Sequence, residues 1–333
     1  MKIIMKNLYS SERIGRTKEF LRRFWNLEDV GRYAHVKWNT KANLQDIASP
    51  EVMLTQLLTH IKEQSQIEDD YLPALWPWLG TGILASAFGC EILRFEGGQP
   101  WAKPVIINPE EVYELKVPSV RDGLLGKTLE YIAYFQEETN YSYPIRTGDI
   151  QGPLGVAGQV WQDEQLFIAM HTNPKDVHYI LNLTTNLIIE FIKTQKDSSK
   201  EFYSIHWPLV WMPEEMGVGI SEDYAPLLSP SQYEEFGLPY VNRISDEFGG
   251  IYIHCCGNFE HNFDNFLKIR KLRGLNVGIN SVSWERLQEK FSERCVLIPG
   301  PTEQGIVEFG GIEKFYQYII EHTFSNTRLF LMD

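Results

Sequence analysis

The chain has 333 residues, of which 43% are hydrophobic and 23% are charged, so it can bury the core of one large domain or of two smaller ones. Its net charge of −13 argues against nonspecific binding to nucleic acid or to an anionic membrane surface, because proteins bind both through clustered lysine and arginine. The sequence has no run of 18 apolar residues, no signal-peptide core near its start and only four cysteines, which predicts a cytoplasmic protein with no membrane span.

The N-terminal part of the chain is less regular than the rest and predicts mainly helices. Helical spacing extends over 17–25 and 50–67, a short strand is expected at 35–38, and tryptophan, proline and glycine are frequent in 72–89. No internal repeat or long linker divides the sequence. We therefore expect a single domain over 1–333, in which residues 1–70 form a mostly helical extension packed on the remainder.

The second half alternates strand-length apolar runs with helical segments. Strands are predicted at 143–147, 217–220, 251–253, 275–279, 296–298 and 328–332. Helices are predicted at 174–193, 230–247, 284–292 and 311–322, with start signals at Asn173-Pro174, Ser229-Pro230 and Ser283. Repeated strand-then-helix units predict an α/β fold, a (β/α)8 TIM barrel with additional N-terminal helices, and secondarily an open doubly wound sheet. The absence of a glycine-rich phosphate loop weakens the second choice.

The stretch 251–257, Ile-Tyr-Ile-His-Cys-Cys-Gly, ends an apolar strand in potential metal ligands. The period of two along a strand places His254 and Cys256 on one face, about 6–7 Å apart at the backbone. Their imidazole and thiolate could then reach one zinc ion at roughly 2.0 and 2.3 Å. The alternative is a buried strand end with a hydrogen-bonded histidine and two unreactive thiols, because two ligands do not make a metal site.

Five short motifs follow one another along the chain. They are Gly80-Thr81-Gly82 with Ala87-Phe88-Gly89; Pro100-Trp101-Ala102-Lys103-Pro104; Asp149-Ile150-Gln151-Gly152-Pro153-Leu154 with Asn173-Pro174; Glu222-Asp223 with Leu228-Ser229-Pro230 and Pro239-Tyr240; and His254-Cys255-Cys256-Gly257. In this order they resemble the uroporphyrinogen decarboxylase superfamily, and within it the corrinoid- and coenzyme-M-type methyltransferases. The resemblance implies a TIM barrel with its active site at the C-terminal mouth.

In the zinc-dependent branch, the resemblance implies a metal held by a His-x-Cys pair and a later cysteine. His254 and Cys256 match the pair, but the later cysteine is replaced by the sequence Pro299-Gly300-Pro301-Thr302-Glu303. Cys295 lies about 16 Å below the mouth, at the start of the strand. Glu303 can supply an oxygen ligand at about 2.0–2.2 Å, or it can be the exposed acid of a helix start.

Further candidate residues follow predicted strands or carry aromatic rings. The resemblance implies that Asp149 faces the mouth, where it could orient substrate together with Gln151, although an aspartate of this kind can also only shape a turn. Asp223 is a second candidate catalytic acid, and we expect its neighbour Glu222 to be solvated. His206, Trp207, Trp211 and Met212 could form the wall of a substrate pocket, or belong to the core.

The sequence therefore leads to a first hypothesis and two alternatives. The first is a zinc-dependent methyltransferase that moves a methyl group between a methylcobalamin, carried by a separate corrinoid protein, and a small thiol or related acceptor. The alternatives are a metal-free decarboxylase or other lyase that uses Asp149, and a barrel without catalysis that serves as a binding module. Porphyrinogen decarboxylation is disfavoured, because Gly31-Arg32-Tyr33 echoes only a fragment of the arginine-rich motif. A homodimer is the default expectation for the oligomeric state.

Overall fold

The computed structural model describes residues 8–37, 49–94 and 100–332, so Trp38 of the predicted first strand lies outside the described residues. Among the described helices, none is long and apolar enough to cross a membrane. The helices are α1 Ser11–Trp25, α2 Pro50–Gln64, α3 Ile83–Ala87, α4 Gly123–Glu138, α5 Pro153–Val160, α6 Asp163–Thr172, α7 Pro174–Asp197, α8 Pro230–Gln232, α9 Leu238–Phe248, α10 Phe263–Phe266, α11 Trp284–Phe291, α12 Glu303–Phe309 and α13 Ile312–Glu321.

The strands are short, and most of them pair in parallel. They are β1 Ala34–Val36, β2 Glu91–Leu93, β3 Trp101–Lys103, β4 Ile145–Arg146, β5 Phe202–Tyr203, β6 Val218–Ser221, β7 Ile251–Cys255, β8 Leu272–Ile279, β9 Val296–Pro301 and β10 Phe330–Met332. The longest sheet runs β6-β7-β8-β9, and β1 pairs with β10 while β4 pairs with β5. Only β2 and β3 form an antiparallel pair among the described strands.

Backbone bridges join these sheets into a ring. Leu297 in β9 bridges to Leu329 beside β10, and Gln151 bridges to Ser221 in β6. Leu75 bridges to Ile145 in β4, and the Asp70 amide donates to the His35 carbonyl of β1. The ring of parallel strands is the predicted (β/α)8 TIM barrel with additional N-terminal helices.

Helix α1 covers the amino end of the barrel. Its side chains Leu21, Phe24 and Trp25 are buried, and the Trp25 ring meets Tyr252 near the start of β7 edge-on at 6.2 Å. The Trp25 indole also donates to the Trp211 carbonyl at 2.8 Å. Large apolar rings therefore fill this end, which leaves the carboxyl ends of the strands as the open face.

The sequence predicts two of the helix starts correctly but does not predict helix α4. Ser229 and Gln232 form a reciprocal capping box at α8, and the Ser283 hydroxyl accepts from the Arg286 amide at the start of α11. Asn173 precedes Pro174 as expected, but its side chain makes no cap hydrogen bond. Helix α4 was not predicted, because Gly123 and Gly126 interrupt its first turn and weaken the helical signal.

Two glycines fix where β7 begins. A side-chain carbon on Gly217 would lie 1.9 Å from the Gly250 carbonyl oxygen, and φ at Gly217 is +118°. Only glycine fits this close approach of two backbones at this angle. The contact sets the register of β7 against β6, in which Ser221 pairs with His254.

Candidate metal centre

Three potential metal ligands meet at the carboxyl ends of β6 and β7. Ser221 in β6 pairs with His254 in β7, so Asp223 and Cys256 follow at the same level, two residues further along each chain. The ligand atoms of Asp223, His254 and Cys256 all lie within 4.8 Å of one another. We refer to these three residues as the ligand cluster.

Within the ligand cluster, contacts link each member to the next. His254 Nε2 lies 2.9 Å from Cys256 Sγ, and the Cys256 backbone amide donates to Asp223 Oδ1 at 2.8 Å. Cys255 is buried on the opposite side of the strand. The alternation expected from the sequence therefore brings His254 and Cys256 together, while the turn after β6 adds Asp223.

Asn276 on β8 fixes the orientation of the His254 ring. Its side-chain Nδ2 donates to the Ile298 carbonyl at 2.8 Å, so its Oδ1 faces His254 Nδ1 at 2.6 Å. Nδ1 must then carry the proton, which leaves the lone pair of Nε2 directed at the thiol of Cys256. Metal-binding histidines are commonly held by an acceptor of this kind on the nitrogen that does not bind the metal.

The Cys256 thiol stays protonated at neutral pH in this environment. Cys256 is exposed as a residue, but partial burial of its sulfur and the neighbouring carboxylate of Asp223 raise the pKa of Cys256 to about 12. A carboxylate beside a thiol disfavours the thiolate unless a cation lies between them. The electrostatics of the cluster therefore suit a bound cation better than a free nucleophilic cysteine.

The donor set also fits zinc chemically. One nitrogen, one sulfur and one carboxylate oxygen are ligands that zinc accepts, and a fourth position would stay open for a substrate. Nitrogen and sulfur ligands of a tetrahedral zinc lie about 3.5 Å apart, so His254 and Cys256 would have to separate by roughly half an ångström. Both side chains reach the cavity wall, which leaves space for that movement.

Glu303, expected from the sequence as the third ligand, does not join the ligand cluster. It is exposed as the first residue of α12, and Thr302 caps that helix by accepting from the Gly305 amide. This position corresponds to the alternative of a helix-start acid. Cys295 lies directly before β9, at the strand start where the sequence placed it, and it is buried.

A second polar group lies beside the ligand cluster, inside the barrel. We call Asp149, Gln151, His206 and Ser221 the buried cluster, since each side chain is at most 8% exposed. Gln151 Nε2 donates to Asp149 Oδ1 at 2.8 Å, and His206 Nε2 lies 3.0 Å from Ser221 Oγ and 4.0 Å from Asp149 Oδ1. Burial lowers the pKa of His206, which favours a neutral ring.

The prediction that Glu222 is solvated was wrong. The residue is 1% exposed, and neither carboxyl oxygen has a hydrogen-bond partner among the described residues. Burial, and secondarily the charge of Asp223, raise the pKa of Glu222 to about 8. The side chain points towards Gly152, where an added carbon would lie 2.7 Å from its oxygen. Directly after β6, the chain therefore directs Glu222 inward and the next residue, Asp223, towards Cys256.

A cavity of about 660 Å³ opens beside the ligand cluster. His254, Cys256 and Asn276 line it, and Trp207 lies across from them on the loop after β5. Trp211 does not line this cavity. Its ring packs against Tyr203 and lies near Lys18 and Arg22 of α1, so of the two tryptophans expected to bind substrate only Trp207 is suitably placed.

Arg146 anchors the loop that carries His206 and Trp207. This buried guanidinium donates to the carbonyls of Ile205, Leu209 and Val210 at 2.6–3.2 Å. Burial lowers the pKa of Arg146 to about 10. Because one planar fork holds three carbonyls, the loop enters the cavity in a fixed orientation.

Asn276 and His206 have roles in the site that the sequence did not predict. Asn276 is a polar residue within the apolar strand Leu275-Asn276-Val277, which is a signal for an inward polar contact. His206 was grouped with aromatic wall residues, and its buried position beside Asp149 required the bridge from Gln151 to Ser221.

Comparison with known proteins finds similarity to the family that the motifs resemble. Residues 80–206 match the family model described as uroporphyrinogen decarboxylase (URO-D). A methylcobamide:CoM methyltransferase of Methanosarcina acetivorans is 26% identical over 198 residues, which are 58% of this chain and 53% of that protein. A uroporphyrinogen decarboxylase of Xanthomonas axonopodis is 22% identical over 177 residues, which are 49% of this chain and 43% of that protein. The chain thus spans about half the length of these curated relatives.

A solved structure resembles the whole fold. A methyltransferase from Methanosarcina mazei superposes with a TM-score of 0.71 and 18% sequence identity, covering 95% of this chain and 92% of that one. These findings confirm the resemblance to the uroporphyrinogen decarboxylase superfamily and the TIM-barrel fold. The segment that matches the family model ends before the ligand cluster begins.

Proposed function

We propose that the protein is a zinc-dependent methyltransferase, in which Asp223, His254 and Cys256 hold the metal and a small thiol occupies its open position. The observation that carries the proposal is the convergence of three ligand atoms within 4.8 Å beside an open cavity. The similarity to a methylcobamide:CoM methyltransferase supports the reaction type. Asp223 takes the place that the sequence had suggested for Glu303.

Zinc, when bound, lowers the pKa of a thiol ligand and so presents a thiolate at neutral pH. The protein's own residues prepare that position. Asn276 holds the Nδ1 proton of His254, and the Cys256 amide orients Asp223. The thiol proton lost on binding goes to solvent through the open cavity.

The methyl group would come from a methylcorrinoid carried by a separate protein. In the transfer, the thiolate sulfur forms a bond to the methyl carbon while the cobalt–carbon bond breaks and both of its electrons stay with cobalt. The buried cluster lies on the inner side of this position. Within it, we assign to Asp149 and Gln151 the orientation of the acceptor. To Trp207, which lines the cavity, we assign contact with the acceptor's tail.

Decarboxylation of a carboxylated tetrapyrrole is less well supported. Arg32 is the residue that echoes the family's propionate-binding motif, but its guanidinium forms two 2.6 Å hydrogen bonds with Asp70 and stacks on Phe20 at 3.7 Å. None of the described residues that line the cavity is lysine or arginine. Several buried carboxylates would therefore lack positive partners.

The test is metal analysis joined to a methyl-transfer assay. Protein purified without chelator should hold about one zinc per chain. It should convert methylcobalamin to cob(I)alamin in the presence of thiols, which is followed by the colour change. His254→Ala and Cys256→Ser should lose both the metal and the transfer.

Cys90→Ser is the matched control. Cys90 Sγ lies 3.7 Å from the Gln159 carbonyl, to which serine can also donate, and it stands outside the ligand cluster. This variant should keep its metal. A protein that binds no zinc but still acts on a carboxylated substrate through Asp149 would instead support the metal-free lyase, and a protein that does neither would support a binding module.

A further inference from the structure

The cavity beside the ligand cluster is the space into which the tail of a metal-bound thiol would extend. Its wall is built mainly from apolar side chains, namely Trp207, Pro208, Ile298, Pro299, Ile312 and Met332. Its volume of about 660 Å³ lies well within the roughly 300–1,000 Å³ of sites that hold drug-sized molecules. The space is therefore much larger than a thiol group alone needs.

The polar side chains in this wall are already bonded within the protein. The Asn276 amide bonds to His254 and to the Ile298 carbonyl. The Thr302 hydroxyl donates to Asn280, and the Tyr316 hydroxyl donates to the Met332 carbonyl. The hydroxyl protons of Thr302 and Tyr316 are thus already given to protein acceptors, so neither hydroxyl can donate to an anionic tail without losing that bond.

The lack of cationic side chains among the described lining residues also disfavours an anionic tail. None of the described lining residues is lysine or arginine, and the chain as a whole carries a net charge of −13. A carboxylate or sulfonate in this cavity would lose its hydration without gaining an ion pair, which is costly. A neutral apolar tail instead gains from burial against the aromatic and aliphatic wall.

Building on the proposed function, we propose that the methyl acceptor is an uncharged thiol with an aromatic or branched aliphatic tail, and that anionic thiols are rejected. The thiol sulfur occupies the open metal position between His254, Cys256 and Asp223. The tail lies along Ile298 and Pro299 towards Trp207. Specificity then comes from the wall, and reactivity comes from the ligand cluster.

The test uses protein loaded with Co²⁺ in place of zinc, because thiolate binding to cobalt produces a charge-transfer absorption that needs no turnover. Phenylmethanethiol, 4-(mercaptomethyl)benzoate and 2-mercaptoethanesulfonate are titrated against it. We expect the affinity for phenylmethanethiol to be at least about 100-fold higher than that for either anionic thiol. Equal or tighter binding of the anionic thiols would overturn this inference and leave the proposed function standing.

A failure of every thiol to change the absorption, or a failure of cobalt to bind, would overturn both this inference and the proposed function.

A variant that adds a positive charge tests the wall directly. Ile312 lines the cavity and is 40% exposed, so Ile312→Lys adds a cation with access to both wall and solvent. It should raise the affinity for 4-(mercaptomethyl)benzoate about tenfold while changing that for phenylmethanethiol little.

Val307→Lys is the control, because Val307 is 79% exposed on α12 and does not line the cavity. It adds the same charge to the protein without placing it in the wall. If the two lysine variants changed the binding of the benzoate thiol equally, the preference would not come from the wall, and the inference would be wrong.

Discussion

The ligand cluster and the buried cluster lie side by side at the same end of the barrel, yet they differ in how their polar atoms are used. In the buried cluster, Gln151 and Asp149 bond each other, and His206 bonds Ser221. In the ligand cluster, the outer atoms are anchored by Asn276 and by a backbone amide, while the inner atoms face one another. In the buried cluster, hydrogen bonds join the side chains to one another. In the ligand cluster, hydrogen bonds from outside orient the side chains so that their remaining polar atoms face a shared position.

The largest effect expected from this comparison concerns the third ligand. Asp223→Asn keeps an acceptor for the Cys256 amide but removes the negative charge, so zinc affinity should fall by more than the roughly 10- to 100-fold typical of losing an outer partner. Competition with a metal-sensitive dye measures this. Glu303→Gln is the matched control and should bind zinc as the unchanged protein does. The reverse order of the two variants would assign the third ligand to Glu303.

Removing the outer support of His254 should have the next largest effect. Asn276→Ala frees the His254 ring and leaves the Ile298 carbonyl without its donor, so zinc affinity should fall by about 10- to 100-fold. Asn276→Asp can still accept from Nδ1 and should recover most of that loss. The same dye competition distinguishes them, and equal affinities for the two variants would show that the ring needs no acceptor.

Glu222 tests how a buried carboxyl without partners behaves near both clusters. Its folded pKa of about 8 lies above the unfolded value of 4.5, so its contribution to stability is full below pH 4.5 and is lost as the pH rises towards 8. In that window the free energy of unfolding should fall by at most about 1.4 kcal/mol per pH unit because of this group. Urea melts of chelator-treated protein from pH 5 to pH 8.5 measure it.

Glu222→Gln is the comparison for that measurement, since it stays neutral at every pH. The difference in stability between the two proteins should change in favour of the glutamine variant as the pH rises. Parallel curves across the whole range would mean that Glu222 is ionised in the folded protein.

The smallest expected effect belongs to the buried cluster itself. Asp149→Asn changes a residue whose nearest side-chain partners are Gln151 and His206, so zinc affinity should stay within about threefold. Methyl transfer should fall, because we assign to Asp149 the orientation of the acceptor. A loss of zinc comparable to that in Asp223→Asn would show that the two clusters form one site.

The barrel and the His254–Cys256 pair could be predicted from the sequence because both follow from local periodicity. Alternating strands and helices predict the fold, and the period of two predicts the shared face. The partner Asp223 and the support from Asn276 could not be assigned in this way, because they depend on which strands become neighbours and in what register. Glu222 was misjudged for a related reason, since its burial depends on the approach of Gly152, which lies just before α5.

The contact between Gly217 and Gly250 has a consequence for how the chain tolerates insertions and deletions. Because His254 in β7 and Cys256 just after it are candidate ligands at alternate positions, a slip of one residue would present Ile253 and Cys255 to the cavity and turn both ligands into the core. The loss would be all or none. Gly217 before β6 and Gly250 before β7 thus influence whether a metal can be bound at the mouth, although both lie at the opposite ends of these strands.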